Sequence, residues 1–149
     1  MEPTVRYYNS GDFDLVCSLE QGKKGSPYAA AVFARQAGEL FPDTFLVLEE
    51  GGLVRGYAVA GIVHAKPGEA WIIRMRIADN CQGRGLGRRL TSGLIARLSN
   101  KGVNKIFLTV SPDNIPAVRL YASAGFFENA FEPRYFGAGE DRLVMMLTL

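Results

Sequence analysis

The sequence predicts a mixed α/β domain, with an antiparallel front half followed by one β-α-β crossover. Three observations predict it. Residues 44–49, 53–63 and 70–78 are strand-like by content and are separated by turn residues; apolar residues then switch to helical spacing at Leu86, Leu90, Leu94, Ile95 and Leu98; and a buried-looking strand, 105–110, follows at once.

Taken in order, residues 5–8 form a short first strand, and Asp12 is placed to cap a helix with Phe13, Val16 and Leu19 on its apolar positions. A loop over residues 22–27 leads to a second helix, with Val32, Phe33, Gln36, Ala37 and Leu40 on related faces, closed by Phe41-Pro42-Asp43. Gly51-Gly52 accepts the positive φ angles of a tight hairpin turn between strands 44–49 and 53–63. Lys66-Pro67-Gly68 turns the chain into the third long strand, 70–78, where Trp71, Ile73, Met75 and Ile77 alternate with Ile72, Arg74 and Arg76. Gly102 ends the helix that begins near Leu86. A short helix carries Ala117, Leu120, Tyr121 and Ala124, with Pro116 near its start and Gly125 past its end. Segments 126–131 and 142–149 complete the order β-α-α-β-β-β-α-β-α-β-β.

The chain has 149 residues and no linker-like stretch, so a single domain spanning 1–149 is expected. A chain of this length buries roughly 70% of its unfolded surface without staples. The net charge of +2 gives no general attraction to nucleic acid or membrane, so any anion must be recognised by a local cluster. Cys17 and Cys81 lack CxxC partners and read as reduced thiols. With His64 the only histidine, a zinc site or a Ser-His-Asp hydrolase is disfavoured, and no metal is expected. The start has no basic-then-apolar signal, and the longest apolar stretch, 57–63, is far below the ~20 residues of a membrane span, which points to the cytoplasm.

The most informative segment is Gln82-Gly83-Arg84-Gly85-Leu86-Gly87-Arg88-Arg89-Leu90, between a strand and a helix. A helix N-terminus offers unpaired N–H groups and positive partial charge to a phosphate. Glycines let the main chain approach it, and Arg84, Arg88 and Arg89 add charged donors, of which one or two can face a ligand. A Walker loop requires Gly-Lys-Ser/Thr where Gly87 is followed by Arg88-Arg89. A dinucleotide fingerprint started at Gly85 meets Leu90 in place of its third glycine. A glycine-rich turn with a solvated basic face is the bland alternative.

Gln82-x-x-Gly85-x-Gly87 resembles the pyrophosphate motif of the GNAT acetyltransferases, and the segment from Asn114 through Ala117, Leu120 and Tyr121 to Gly125-Phe126 is similar to that family's N-x-x-A-x-x-L-Y-x-x-x-G-F. The resemblance covers roughly residues 44–149 and implies a GNAT fold, with two parallel strands ending near Ile77 and Val110 that splay around acetyl-CoA. It implies backbone contacts from Met75, Arg76 and Ile77 to the pantetheine and acyl carbonyl, with the Met75 N–H as oxyanion donor. Gln82, Gly83, Arg84, Gly85, Leu86, Gly87 and Arg88 would hold the diphosphate, Asn114 would contact the cofactor, and Tyr121 would face the departing sulfur. Asn114 as a mere helix cap and Tyr121 as a core aromatic remain open alternatives. The implied reaction is direct attack of a neutral amine on the thioester through a tetrahedral intermediate, which asks for a preorganised N–H and benefits from a proton donor at sulfur.

Residues 132–145, with Tyr135-Phe136, Gly139-Glu140-Asp141 and Met145, resemble the end of ribosomal-protein and other protein N-terminal acetyltransferases, which implies that Tyr135 hydrogen-bonds an acceptor peptide. A packed, solvent-facing hairpin is the alternative. Where the ribosomal-protein enzymes carry a glutamate base on the strand before the motif asparagine, this chain has Thr109; Glu69, Glu49, His64 or a water relay would have to replace it. The acceptor is expected to be an amine, either a peptide N-terminus or a small amine such as an amino acid, polyamine or antibiotic; a non-catalytic coenzyme-A sensor is the other class. Monomer and homodimer both remain open.

Overall fold

The computed structural model describes residues 2–149. Its seven strands form one mixed sheet in the order β1-β2-β3-β4-β5-β7-β6, accompanied by four α-helices. The chain divides into two compact units, residues 1–60 with 73–97, and residues 61–72 with 98–149.

In the first unit, β1 (Thr4–Tyr7) lies antiparallel to β2 (Phe45–Glu50), with Thr4 opposite Glu49 and Tyr7 opposite Leu46. Gly51 and Gly52, at φ 62° and 80°, turn β2 into β3 (Leu53–Ile62), because both central residues of this hairpin need the left-handed region. Phe45, Val47, Tyr57 and Val59 project into a core closed by Val16 of α1 (Phe13–Gln21) and by Ala34 and Ala37 of α2 (Pro27–Leu40). The buried face of α2 is the alanine row Ala30, Ala34 and Ala37. The apolar face expected to include Leu40 is therefore rotated, and Leu40 is 68% exposed. Small side chains win that face because they let α2 come close: a Cβ added at Gly38 would stand 3.1 Å from the Tyr8 ring, which itself stacks on Phe45 at 4.0 Å.

Asp12 does not cap α1. Its carboxylate receives both Arg6 Nη groups at 2.9 Å and the Asn9 N–H at 2.9 Å. A bidentate guanidinium is a stronger partner than a helix-end N–H, and Arg6 also donates to Glu49 on β2 at 2.8 Å. The group thereby joins β1, β2 and the entrance to α1.

In the second unit, β4 (Glu69–Ile77, which continues into the first unit) pairs in parallel with β5 (Lys105–Val110), Glu69 beside Lys105 and Trp71 beside Phe107. Trp71 and Phe107 stack at 5.0 Å. β5 pairs antiparallel with β7 (Arg142–Thr148), and β6 (Phe127–Glu132) lies outside β7. The final strand thus inserts between its two predecessors. The crossover helix α3 (Leu86–Asn100), which belongs to the first unit up to Arg97, buries Leu86, Leu90, Leu94 and Leu98; in the second unit α4 (Ile115–Ser123) follows β5. Element order and hairpin turns agree with the expectations above to within one or two residues; short 3-10 turns at Ser10–Asp12, Pro42–Thr44 and Asp79–Cys81 were not anticipated.

Replacing Asp12 by Ala is expected to cost about 2 kcal/mol in urea unfolding, because it removes the bidentate partner of Arg6, which keeps only Glu49 as a carboxylate partner, and the acceptor of the Asn9 N–H. Burial pushes the Asp12 carboxyl up, but the Arg6 and Asn9 hydrogen bonds outweigh it and hold it below the ordinary range. Its stabilisation is therefore present above the unfolded pKa near ~3.9 and is lost as pH falls through the lower folded value; the variant should show a shallower acid limb.

Candidate active site

The loop between β4 and α3 is built by two left-handed glycines. Gly83 and Gly85 have φ of 78° and 77°, and a Cβ at either would meet nothing within 4 Å. Backbone conformation, not crowding, is what demands glycine there. Before them, Cys81 is buried and its N–H closes on Ala78 O at 2.9 Å, while the Gln82 amide donates to Ile77 O at 3.3 Å. After them, the buried Leu86 anchors the first turn of α3, and the Arg89 N–H reaches Gly85 O at 3.2 Å. Residues 82–85 stay exposed at the mouth of the helix.

The arginines divide their work. Arg84 donates to Glu50 at the end of β2 at 3.0 Å, and that hydrogen bond holds the Glu50 carboxyl below its usual range. Arg89 turns to the N-terminal strand, donating to Pro3 O at 2.9 Å and Glu2 at 3.3 Å. Arg88 is exposed on the first turn of α3.

Alternation along β4 sets the faces at its C-terminal end. The buried Thr91 hydroxyl of α3 lies 3.5 Å from the Met75 sulfur and 2.7 Å from Gly87 O, so Met75 faces the helix. Arg74 and Arg76 point the other way, onto Glu20 of α1, at 3.0 Å and 3.9 Å. Glu20 also accepts from the hydroxyl of the fully buried Tyr57. The apolar face expected along this strand is only partly buried, with Ile73 43% exposed.

In the second unit, Asn114 is the N-cap of α4, its Oδ1 accepting from the Ala117 N–H at 3.2 Å. Tyr121 is 9% exposed and meets Phe126 edge-on at 5.8 Å. Burial pushes its phenol up to about 12, so it is neutral at physiological pH. Gly125, at φ 103°, ends the helix as expected. Tyr135 lies in the turn between β6 and β7, 46% exposed and edge-on to Phe136 at 4.8 Å. The Arg134 N–H donates to Asp141 at 2.8 Å and Arg142 covers the Phe136 ring, so this turn is an ordered platform.

The acetyltransferase (GNAT) family model matches residues 13–126. The chain belongs to the GNAT acetyltransferase family. It is 28% identical, over 98% of its length and 97% of the relative's, to the ribosomal protein bS18-alanine N-acetyltransferase of Escherichia coli. The crystal structure of the ribosomal-protein-S18-alanine N-acetyltransferase from Escherichia coli superposes with a TM-score of 0.84 at 27% identity, covering 99% of this chain and 94% of that one. The fold is shared more widely: a chain of the NatC complex bound to Gag peptide and CoA gives a TM-score of 0.86 at 19% identity, covering 100% and 99%. This GNAT chain is accordingly an N-acetyltransferase that uses acetyl-CoA as co-substrate. Among the described residues, no helix is long and apolar enough to cross a membrane, and no cluster of three or more His, Cys, Asp or Glu could hold a metal.

The three side chains expected as replacement bases lie on separate elements. Glu49 is engaged by Arg6. Glu69 opens β4. His64 lies in the turn before it. Sequence reading singled out Arg74 and Arg76 on this strand but missed Glu20 and Tyr57, which gather with them. Two arginines alternating on an otherwise apolar strand were the available signal; nothing local marked Glu20.

Alkaline titration followed by tyrosine absorbance should show Tyr121 ionising above the ordinary tyrosine value. The raised folded value means that its contribution to stability is complete below pH ~10 and is lost as pH rises towards about 12, by about 2–3 kcal/mol in all. Tyr121→Phe should remove that increment from the alkaline unfolding limb.

Proposed function

We propose that this acetyltransferase modifies the α-amine of a peptide or protein N-terminus, within one catalytic domain spanning residues 1–149. The observation that carries the reading is the end-to-end similarity to a protein named as an alanine N-acetyltransferase of a ribosomal protein, with the aromatic turn at Tyr135 inside the matched length. Acetylation of a small free amine is the second reading, favoured by Thr109, which cannot act as a base at neutral pH and stands where the resemblance to the ribosomal-protein enzymes implies a glutamate.

The roles follow from the chemistry. Gln82, Gly83, Arg84, Gly85, Leu86, Gly87 and Arg88 receive the diphosphate at the start of α3, where unpaired N–H groups and the helix dipole favour it. Backbone groups of Met75, Arg76 and Ile77 align the pantetheine, with the Met75 N–H donating to the oxyanion. The amine lone pair attacks the thioester carbon, the tetrahedral intermediate collapses, the C–S bond breaks, and the nitrogen proton leaves through a water relay. The products are an amide and coenzyme A thiol.

Tyr121 serves the leaving sulfur, and its burial decides how. A phenol near about 12 facing an alkyl thiol near ~8.5 would transfer its proton uphill by roughly 5 kcal/mol. It therefore stabilises the thiolate as a hydrogen-bond donor, and the proton that ends on sulfur originates from the amine. Asn114 shapes the start of α4 beside the cofactor, and Tyr135 hydrogen-bonds the acceptor backbone. We place the enzyme in the cytoplasm, consistent with two unpaired cysteines.

Two variants test the assignment. Gly85→Glu forces a side chain into the left-handed region and sets a carboxylate where the diphosphate binds; calorimetric titration should show acetyl-CoA binding in the parent and none in the variant. Tyr121→Phe should keep acetyl-CoA affinity within about threefold and lower kcat about 10–100-fold, the value of a charge-assisted hydrogen bond. Equal loss of binding and turnover would remove Tyr121 from the reaction. Mass gain on peptides and none on free amines supports the α-amine reading; the reverse replaces it with the second.

A further inference from the structure

A cavity of about 550 Å³ opens in the first unit between the end of α1, the α1–α2 loop and the last residues of β4. Its charged lining is four cations, Lys23, Lys24, Arg74 and Arg76, against two carboxylates, Glu20 and Asp79. Glu20 is already spent: its side chain is 9% exposed, ion-paired with Arg74 and hydrogen-bonded by Tyr57. It orients the two arginines without neutralising the loop lysines, and both guanidinium side chains remain 44–46% exposed. Arg74 and Arg76 flank Met75 on the strand, and they project from the face opposite the Met75 side chain. A carboxylate held by them would sit one residue along the backbone from the proposed oxyanion donor.

We infer that this cavity selects acceptors carrying a carboxylate close to the reacting amine: an N-terminus followed by acidic residues, or an amino acid with a free carboxylate. The inference rests on the acetyl transfer proposed above and adds the class of acceptor. A surplus of positive charge repels a cationic acceptor and rewards one that brings its own anion; guanidinium groups suit carboxylates by their paired donors. The same field disfavours the ammonium form of the bound amine, which raises the fraction ready to attack in a chain with Thr109 in place of a carboxylate base.

The test compares seven-residue peptides with the same N-terminal alanine and Glu, Gln or Lys at positions two to four, beside free glutamate and aspartate. Thiol release from acetyl-CoA is followed at low and at high salt. The Glu peptide should exceed the Gln peptide at least tenfold in kcat/KM, mainly through KM, with the Lys peptide lowest. The advantage should shrink severalfold at 0.5 M salt as the charges are screened. Lys23→Glu/Lys24→Glu should collapse the Glu-to-Lys selectivity ratio at least tenfold while the acetyl-CoA affinity stays unchanged. Turnover of the free dicarboxylic amino acids with silent peptides assigns the carboxylate to a small acceptor; the opposite assigns it to a peptide. Acetylation indifferent to acceptor charge, or a ratio unmoved by the lysine variant, overturns this inference and leaves acetyl transfer standing. A folded protein that binds no acetyl-CoA overturns both.

Discussion

The left-handed backbone at Gly83 and Gly85 is the constraint on which the rest depends. Those two residues reverse the chain after β4 and deliver it to Leu86, the first of four buried leucines one turn apart that seat α3. Any residue with a Cβ would find room at either glycine but not an easy φ. The turn therefore exposes the first N–H groups of α3 while its side chains anchor behind them. Thr91, one turn further, ties the helix to β4 through Gly87 O and the Met75 sulfur. Strand end, loop and helix start are in this way one structural unit, with its polar backbone facing outward.

Charge is distributed around that unit with a division of labour. Arg6, Arg84 and Arg89 pair with protein carboxylates and carbonyls at the entrance to α1, at the end of β2 and in the residues just before β1. Arg74 and Arg76 are held by a buried carboxylate yet stay half exposed. A net charge of only +2 thus conceals a local surplus at the α1–α2 loop. Composition averages over such clusters, which is why the chain as a whole reads as electrically bland.

Much of the fold was legible because the sequence states it locally. Gly51-Gly52, the leucine row of α3 and the Asn114-to-Gly125 helix each carry their own turn or period signal, and each forms where expected. What was not legible depends on partners distant in sequence. Asp12 looked like a cap until Arg6 took its carboxylate, Leu40 looked buried until the alanine row packed instead, and nothing in 126–149 shows that β7 inserts between β5 and β6. The site divides in the same manner. The glycine loop and the buried Tyr121 follow from contiguous motifs; the cluster of Glu20, Tyr57, Arg74 and Arg76 assembles from three separate elements, and only its two arginines show in the local pattern.

The central claim is that the end of β4 and the start of α3 together receive the thioester cofactor. Hydrogen–deuterium exchange of the protein with and without acetyl-CoA tests it most directly. The account predicts slowed exchange at the amides of residues 75–77 and 82–88, with little change in the β2–β3 hairpin. Binding that leaves both segments unprotected would contradict it.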